Sequence, residues 1–395
     1  MMQENEHIRQ PRRRSPVQKN RNQQGIYLAT MLAAVILVVV LLGLITKDRT
    51  FSENENRNLA QRPALAWAAL SDGSWFSDMN TYLADQFPGR DLWMSLSSGI
   101  RKLSGSKESG GVYLSADDYL IQIPGQPNEK QFTRNLEAME TFAAEHEDLN
   151  VVAAIVPNAA TILAEKLPAN APVRNQADDL RRIRTWLNKV DFVDVTQALM
   201  AQKDQQLYYR TDHHWTSLAA AYAFEAIAPA LELEAPSLST YQRYTVSESF
   251  EGTLASKAGS HQVLDTVEVF APNTDIAYFV KYPDGTEICS MYQREALEGK
   301  DHYTVFFGGN YARVDITTTA DTERNLLVIK DSYANCMIQF LYPHYDHITM
   351  IDTRYYYDSL QTVLTGENIT DVLFLYNLDT FLGDTSLADT LETVS

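Results

Sequence analysis

Residues 325–335 read NLLVIKDSYAN and decide the fold, because an apolar run ends here in a polar turn and a helical pattern follows. The run 325–330 predicts a buried strand, and residues 334–342 predict a helix. Ser332 lies in the turn between them. In a parallel sheet, such a turn exposes its side chain at the carboxyl ends of the strands, beside the free N–H groups of the helix.

The same alternation of apolar runs and amphipathic segments extends over most of the chain. Predicted strands cover 151–156, 190–195, 325–330, 348–351 and 372–376, and predicted helices cover 132–145, 176–187, 217–231, 334–342 and 359–365. The run 151–156 (VVAAIV) contains no polar residue, which is typical of a strand covered on both faces. The alternation therefore predicts an α/β fold with a doubly wound, mainly parallel sheet. Residues from about 245 to 319, rich in β-branched and aromatic residues, predict a β-rich insertion.

Residues 25–46 (GIYLATMLAAVILVVVLLGLIT) carry no charge and are long enough to form a transmembrane helix. The basic tail at 1–24 is predicted to be cytoplasmic by the positive-inside rule. We therefore expect a single-pass cell-membrane protein whose main domain is extracellular. A juxtamembrane stalk with two helices is expected at 47–109, and the α/β domain at 110–395. A cleaved signal peptide is the alternative for the apolar stretch.

The part of the chain that follows the apolar stretch is acidic. Of 33 Lys+Arg and 51 Asp+Glu, the first 46 residues hold 6 and 2, which leaves 27 against 49, a net charge of −22. Nucleic acid is therefore not an expected partner, since phosphate binding needs a basic surface. With only Cys289 and Cys336, the chain is not a disulfide scaffold, and the two residues form either two buried thiols or one bridge.

The stretch 208–217, YYRTDHHWTS, places Asp212, His213 and His214 just before the helix predicted at 217–231. One interpretation is a metal site, with further ligands from His344 and His347. A second is a polar helix start that Asp212 caps. A third is an Asp–His pair, in which Asp212 accepts a hydrogen bond from one nitrogen of His214 and leaves the other nitrogen basic. The third interpretation requires a nucleophile, and the strand-to-helix turn after 325–330 supplies one.

Several short motifs together resemble the bacterial DHHW proteins and, more distantly, the SGNH-hydrolase-like domain of alginate O-acetyltransferases. They are FSENENRNLAQRP (51–63), YLADQFPGRDLW (82–93), GGVYL (110–114), DHHW (212–215) and VIKDSYAN (328–335). The resemblance implies a circularly permuted SGNH-like fold, with Ser332 as nucleophile, His214 as base and Asp212 as the acid that orients it. The usual Gly-Asp-Ser keeps its Asp-Ser, but Lys330 stands in place of the glycine.

The resemblance also implies further site residues. Asn158, Gly308 and Gly309 are candidates for the oxyanion site, and His213, Trp215 and Tyr333 are candidates to face the substrate. Tyr208, Tyr209 and residues 355–357 are candidates to line a sugar-binding groove, although packed or surface tyrosines fit their positions equally well.

The expected function is that of a membrane-anchored extracellular acyltransferase or esterase that uses a Ser-His-Asp triad and neither a cofactor nor a metal. It would O-acetylate or deacetylate a cell-surface polysaccharide, with a polytopic membrane protein that exports the acyl group as a further partner. One alternative is a non-catalytic scaffold or glycan-binding module of a surface-polymer machine, which the missing glycine favours. Another is a metal-dependent hydrolase that uses His213, His214, His344 and His347.

Overall fold

A computed structural model of the chain describes residues 16–52 and 57–393. The chain divides into two compact units, of which the first comprises Met1–Ser52 and Arg57–Trp93 and the second comprises residues 53–56 and Met94–Ser395. This division falls within the predicted juxtamembrane region 47–109. The first 15 residues of the predicted basic tail lie outside the described residues.

The helices and strands are numbered in chain order. The α-helices are α1 (Pro16–Ile45), α2 (Trp67–Ser71), α3 (Ser74–Asp85), α4 (Arg90–Leu103), α5 (Glu129–Glu145), α6 (Ala159–Ile162), α7 (Gln176–Trp186), α8 (Thr196–Met200), α9 (Ser217–Ile227), α10 (Thr253–Ala258), α11 (Ile338–Leu341), α12 (Leu360–Gly366), α13 (Leu378–Gly383) and α14 (Leu387–Glu392). The strands are β1 (Phe51–Ser52), β2 (Arg57–Asn58), β3 (Glu108–Ser109), β4 (Val112–Leu114), β5 (Leu120–Gln122), β6 (Asn150–Val156), β7 (Asp191–Phe192), β8 (Tyr241–Phe250), β9 (Asp265–Pro272), β10 (Tyr278–Lys281), β11 (Glu287–Ile288), β12 (Arg313–Thr318), β13 (Asn325–Lys330), β14 (His347–Ile351) and β15 (Asp371–Asn377).

The first unit contains the apolar helix that the sequence predicts. Within α1, the stretch Gln24–Ile45 is long and apolar enough to cross a membrane, and none of its side chains is buried. Its length, composition and position fit either a single-pass membrane anchor or a signal sequence. The two helices expected after it are present as α3 and α4.

The second unit is built on an eight-stranded sheet with the strand order β11-β10-β12-β14-β13-β15-β6-β7. The five strands from β14 to β7 run parallel, whereas β10 pairs antiparallel with both β11 and β12, and β12 pairs antiparallel with β14. The sheet is therefore mixed, with a parallel half that carries the predicted α/β pattern.

Both faces of the parallel half are buried, as the unbroken apolar run of β6 predicts. Side chains point to opposite faces in turn, so Val152 and Ala154 join one hydrophobic cluster while Val151 and Ala153 join another. Helix α9 packs in the first cluster, and helices α5 and α7 pack in the second. The two clusters confirm the predicted doubly wound α/β fold.

The strands of the β-rich stretch 245–319 belong to two different sheets. Strands β8 and β9 form a separate antiparallel ribbon. Strands β10, β11 and β12 instead extend the main sheet on the side of β14. This half of the stretch therefore belongs to the same sheet as the parallel strands.

Two predicted elements are shorter or more broken than the sequence suggests. The strand expected at 190–195 is reduced to β7 at the end of the sheet, where it pairs with β6 alone. The helix expected at 334–342 is a 3₁₀ turn, Ser332–Cys336, followed by α11 and a second 3₁₀ turn, Tyr342–His344. Pro343 has no N–H to donate, so α11 does not continue.

Neither cysteine forms a disulfide. Cys336 is buried as expected for a packed thiol, and burial raises its pKa to about 12. Cys289 is exposed, which contradicts the expectation of two buried thiols.

Candidate active site

The turn that follows β13 brings Ser332 into contact with the DHHW segment. Nε2 of His214 lies 2.8 Å from Oγ of Ser332, and Nδ1 of His214 lies 2.6 Å from Oδ1 of Asp212. The same carboxylate oxygen accepts the backbone N–H of His214 at 3.0 Å. A neutral His214 that donates its Nδ1–H to Asp212 presents Nε2 as the acceptor for the hydroxyl hydrogen of Ser332. The structure thus brings the three residues into one hydrogen-bonded chain.

Asp212 is held from its other side by the start of α10. Its Oδ2 accepts the backbone N–H of Thr253 at 2.7 Å and the Thr253 hydroxyl at 2.9 Å. A β-carbon at Gly252 would lie 2.2 Å from Cβ of Asp212, so only glycine allows this approach. Burial alone would raise the pKa of Asp212, but His213, His214 and these hydrogen bonds lower it well below its ordinary value. The carboxylate therefore stays ionised at neutral pH.

Aromatic side chains join the base to the nucleophile turn. The ring of Tyr303 stacks on His214 with a centroid distance of 3.8 Å, and its hydroxyl donates to the backbone carbonyl of Ser332 at 2.8 Å. Nε1 of Trp215 donates to the backbone carbonyl of Tyr333 at 2.9 Å. Trp215 and Tyr333, predicted to face the substrate, are instead fully buried and connect the DHHW segment to the turn after β13. They are large apolar rings, so packing between the two segments removes them from solvent.

His213 is the member of the segment that faces outward, with about one third of its side chain exposed (36%). Its Nδ1 lies 3.0 Å from the Thr253 hydroxyl. Burial and the neighbouring His214 lower the pKa of His213 below its ordinary value, so the ring is neutral at pH 7. His213 therefore keeps the position expected for a side chain that meets the substrate.

A small pocket opens beside the hydrogen-bonded chain, and we call it the site pocket. It is lined by Gln122, Asn158, Ala159, Asp212, His213, Leu254, Asn377 and Asp379. Four of these residues, Asn158, Ala159, Asn377 and Asp379, lie at the carboxyl ends of the parallel strands β6 and β15, where α/β folds bind their ligands. Burial raises the pKa of the Asp379 carboxyl to about 6, although hydrogen bonds from Asn158 and Gln176 lower it in part. The pocket therefore offers amide, imidazole and carboxyl groups to a polar ligand.

Asn158, predicted to donate to the oxyanion, lies in this pocket with its amide turned to another partner. Its Nδ2 donates to Asp379 at 3.0 Å, and its Oδ1 accepts the N–H of Ala160 at the start of α6. It follows β6, and β15 separates β6 from the nucleophile strand β13. The contacts of Asn158 therefore support a helix-capping role, which asparagine often has.

Asn377 is a functional candidate that the sequence does not single out. It ends β15, the strand next to β13, and its backbone N–H donates to Oδ2 of Asp331 at 2.9 Å. Its Oδ1 accepts the N–H of Asp379 at 2.9 Å, which fixes the side-chain amide. Among the described residues, Nδ2 of Asn377 donates to no partner, and the residue lines the site pocket. The available signal was its position directly after the strand predicted at 372–376.

Gly308 and Gly309, the other oxyanion candidates, have φ angles of 79° and 130°, which favour glycine. The N–H of Gly308 donates to the carbonyl of Thr304 at 2.9 Å. Within the described part of the chain, no hydrogen bond joins either glycine to Ser332. The next residue, Asn310, connects this loop to β13, because its Oδ1 accepts from Nζ of Lys330 at 3.1 Å.

Lys330, which replaces the glycine of the usual motif, is buried at the end of β13. Its Nζ also donates to Oδ1 of Asn335 at 2.9 Å and lies 3.7 Å from a carboxylate oxygen of Asp352. Burial lowers the pKa of Lys330 to about 8, and Asp352 partly offsets this effect. The lysine thus links the loop at Asn310, the turn after Ser332 and the end of β14.

The four histidines of the metal hypothesis are not assembled in one place. His347 begins β14, at the opposite end of the sheet from Ser332, where it groups with Asp315 and Glu367. His344 packs against the ring of Phe224, with a centroid distance of 5.7 Å. Asp212, His213 and His214 remain a local group, and one oxygen of that carboxylate already accepts from the His214 ring.

The tyrosines proposed to line a groove separate into two sets. Tyr208 and Tyr209 are fully buried, and the hydroxyl of Tyr208 donates to the carbonyl of Pro157 at 2.6 Å. These two residues therefore pack in the core. Tyr355 and Tyr357 are exposed in the segment after β14, at the same edge of the sheet as Ser332.

Comparison with known proteins bears on the fold and on the family resemblance. A family model for the SGNH hydrolase-like domain of the acetyltransferase AlgX matches residues 116–279. This stretch of the chain is therefore similar to an SGNH hydrolase-like domain. The matched residues include Asp212 and His214 and end before Ser332, so the place of the serine rests on the structure. Over 216 residues, the chain is 24% identical to the probable alginate O-acetylase AlgJ of Pseudomonas syringae pv. tomato. That match covers 51% of this chain and 53% of AlgJ, so the chain spans about half the length of this curated relative.

Solved structures share the architecture of the SGNH-like domain. A DHHW family protein from Eubacterium siraeum is 25% identical, with a TM-score of 0.64 over 72% of this chain and 96% of that one. Bacillus cereus PatB1 with a sulfonyl adduct is 20% identical, with a TM-score of 0.58 over 71% of this chain and 99% of that one. These findings confirm the predicted resemblance to DHHW proteins and to alginate O-acetyltransferase domains, together with the predicted fold.

Proposed function

We propose that this protein is a membrane-anchored, extracellular O-acetyltransferase or esterase that acts on a cell-surface polysaccharide. The hydrogen-bonded chain Asp212–His214–Ser332 is the observation that carries the proposal. It orders a carboxylate, an imidazole and a hydroxyl as in serine-dependent acyl transfer. The similarity to AlgJ, a probable alginate O-acetylase, supports a polysaccharide as the acceptor. A polytopic membrane protein that delivers the acyl group is part of the proposal.

The proposed reaction proceeds through an acyl-enzyme. Oγ of Ser332 attacks the carbonyl carbon of an acyl ester while its proton passes to Nε2 of His214. Asp212 accepts the Nδ1–H of the resulting imidazolium and stabilises its charge. The tetrahedral intermediate then expels the alcohol, which takes the proton from His214. A sugar hydroxyl or water next gives its proton to His214 and attacks the acyl group, which restores Ser332.

We assign the stabilisation of the oxyanion to Asn377. In the variant Asn377→Ala, we expect kcat to fall by about 10²- to 10³-fold with little change in KM, because the donor acts mainly on the charged intermediate. The matched control is Asn158→Ala, which removes an amide from the same pocket that already donates to Asp379. Steady-state hydrolysis of p-nitrophenyl acetate compares the two variants. A larger loss of kcat in Asn158→Ala would return the oxyanion role to Asn158.

The direct test of the function is a stopped-flow experiment with the full-length protein in detergent micelles and p-nitrophenyl acetate. We expect a burst of p-nitrophenol equal in amount to the enzyme, followed by slower turnover, because p-nitrophenol is a good leaving group and deacylation is then slower than acylation. Added acceptor glycan should raise the slow rate without changing the burst. A folded protein that gives no burst would contradict the proposed acyl-enzyme.

The alternative is a scaffold or glycan-binding module without turnover. The specific observation in its favour is Lys330 at the position of the motif's glycine, where its ammonium group donates to Asn310 and Asn335. Binding of glycan by a folded protein that shows no burst would support this alternative. A burst would contradict this alternative and would show that Lys330 is compatible with an active site, in which it has a structural role.

A further inference from the structure

Exposed apolar side chains are concentrated in the segment that follows the apolar helix α1. Nine large apolar residues are exposed among the described residues of this segment: Leu65, Trp67, Phe76, Leu83, Phe87, Leu92, Trp93, Leu96 and Ile100. Over the much longer described stretch after Ile100, only seven large apolar residues are exposed. Such a concentration marks an interaction surface rather than the scattered exposure found on most proteins.

Helix α4 shows this exposure as a stripe along one side. Leu92, Trp93, Leu96 and Ile100 recur at helical spacing and are between 50% and 72% exposed. Helix α3 exposes Phe76 and Leu83, which lie two turns apart on one side, while Asp78 lies on the opposite side. Both helices are therefore amphipathic and leave their apolar sides uncovered.

Hydrogen bonds fix these helices beside the point where α1 ends. The hydroxyl of Tyr82 donates to the carboxylate of Asp48 at 3.0 Å, and the guanidinium of Arg49 donates to both oxygens of Asp91 at 3.0 and 3.3 Å. The side chain of Gln86 both accepts from and donates to the backbone of Arg49. The end of α3 and the start of α4 thus lie against the first residues after the apolar helix.

The turn between α3 and α4 also reaches the last turn of α1 itself. A β-carbon at Gly43 would lie 3.8 Å from Cγ of Pro88, and Gly43 is within the apolar stretch Gln24–Ile45. When α1 spans a membrane, Pro88 and the adjacent Phe87 lie level with the boundary between hydrocarbon and headgroups. Trp93, in the first turn of α4, has the residue type that prefers this boundary.

We propose that α3 and α4 form an interfacial element whose exposed apolar side chains insert into the outer surface of the bilayer that α1 spans. This inference rests on the proposed membrane anchor. A lipid surface is the occupant that fits, since the stripe begins at the membrane boundary and carries aromatic side chains on amphipathic helices.

The test places nitroxide labels on single cysteines in the full-length protein, reconstituted in vesicles of phosphatidylcholine and phosphatidylglycerol. The background variant is Cys289→Ser, because Cys336 is buried. Labels at Leu83 and Leu92 report the apolar sides, a label at Asp78 is the polar control, and a label at Val35 reports the span. Collisions with oxygen measure contact with lipid, and collisions with a nickel chelate measure contact with water.

We expect the labels at Leu83 and Leu92 to collide more with oxygen than with nickel, as at Val35, and the label at Asp78 to show the reverse. Water-like behaviour at Leu83 and Leu92 with lipid-like behaviour at Val35 would overturn the interfacial element and leave the anchor intact. Shielding of Leu83 and Leu92 from both reagents would also overturn it in favour of a protein contact. Water-like behaviour at Val35 would contradict both the membrane span of α1 and the interfacial element that depends on it. None of these results changes the p-nitrophenol burst, which decides the proposed enzymatic activity separately.

Discussion

Replacing Ser332 with alanine is expected to abolish the p-nitrophenol burst and to lower kcat by about 10⁴- to 10⁶-fold. The substitution removes the oxygen that forms the acyl bond and leaves His214 and Asp212 in contact with each other. The fold should tolerate the change, because the turn is held through its backbone. Tyr303 donates to the carbonyl of Ser332, and Asp331 accepts the N–H of Tyr333.

The matched control is Ser239→Ala, a serine in an exposed turn whose hydroxyl contacts only Ser237 among the described residues. It should leave both the burst and kcat unchanged. Labelling with a phenylmethylsulfonyl reagent and peptide mass spectrometry provides a second measurement. The native protein and Ser239→Ala should carry the sulfonyl group on the peptide that contains Ser332, and Ser332→Ala should remain unlabelled. A burst that survives in Ser332→Ala would exclude this serine as the nucleophile.

Replacing Asp212 with asparagine is expected to lower kcat by about 10⁴-fold while the protein stays folded. An amide group in place of the carboxylate can present its NH₂ to Nδ1 of His214, which then carries its hydrogen on Nε2. In that tautomer, His214 has no lone pair to accept the proton of Ser332. The amide also cannot stabilise the imidazolium that forms during acylation, as the ionised carboxylate does.

Asp284→Asn is the control, since Asp284 lies in an exposed turn, where its Oδ1 accepts the N–H of Thr286. The measurement is kcat for p-nitrophenyl acetate, with circular dichroism to verify the fold of both variants. The structure assigns the cap of α9 to Thr216, whose side chain accepts the N–H of Ala219, and so contradicts the helix-capping interpretation of Asp212. A decrease of only a few-fold in Asp212→Asn would show that Asp212 holds the segment to Thr253 without orienting a catalytic base.

The parts of the fold that the sequence predicts well are those that local pattern determines. Strands β6, β13 and β15 are long apolar runs bounded by polar residues, so they are recognised within one or two residues. Strand β7 and helix α11 are shorter than predicted, because the end of the sheet and Pro343 limit them rather than their own composition. The attachment of β10 to β12 depends on pairing between distant segments, which periodicity does not encode.

Some residues of the candidate site can be identified from local sequence motifs, and others cannot. Asp212 and His214 are two residues apart, and Ser332 lies in a recognisable strand-to-helix turn, so short motifs are sufficient to identify them. Asn377 enters the site only because β15 lies next to β13, which is a fact of strand order. Tyr303 stacks on His214 from a segment without any motif. The sequence predicts that Trp215 lies near the site, but it does not determine the direction of the ring, which is buried.

The order of strands in the sheet differs from their order in the chain. During synthesis, some strands therefore remain unpaired until a later strand has been made. Strand β6 pairs with β15, in which Asp371 lies opposite Asn150. This edge of β6 therefore has no partner strand until residues 371–377 have been synthesised. Until then, β6 and β13 each offer an open edge of apolar strand, the form of backbone most prone to pair with another chain. A truncated chain that ends before Asp371 would therefore be prone to aggregation. Chaperones or proteases would be needed to keep such a chain from aggregating.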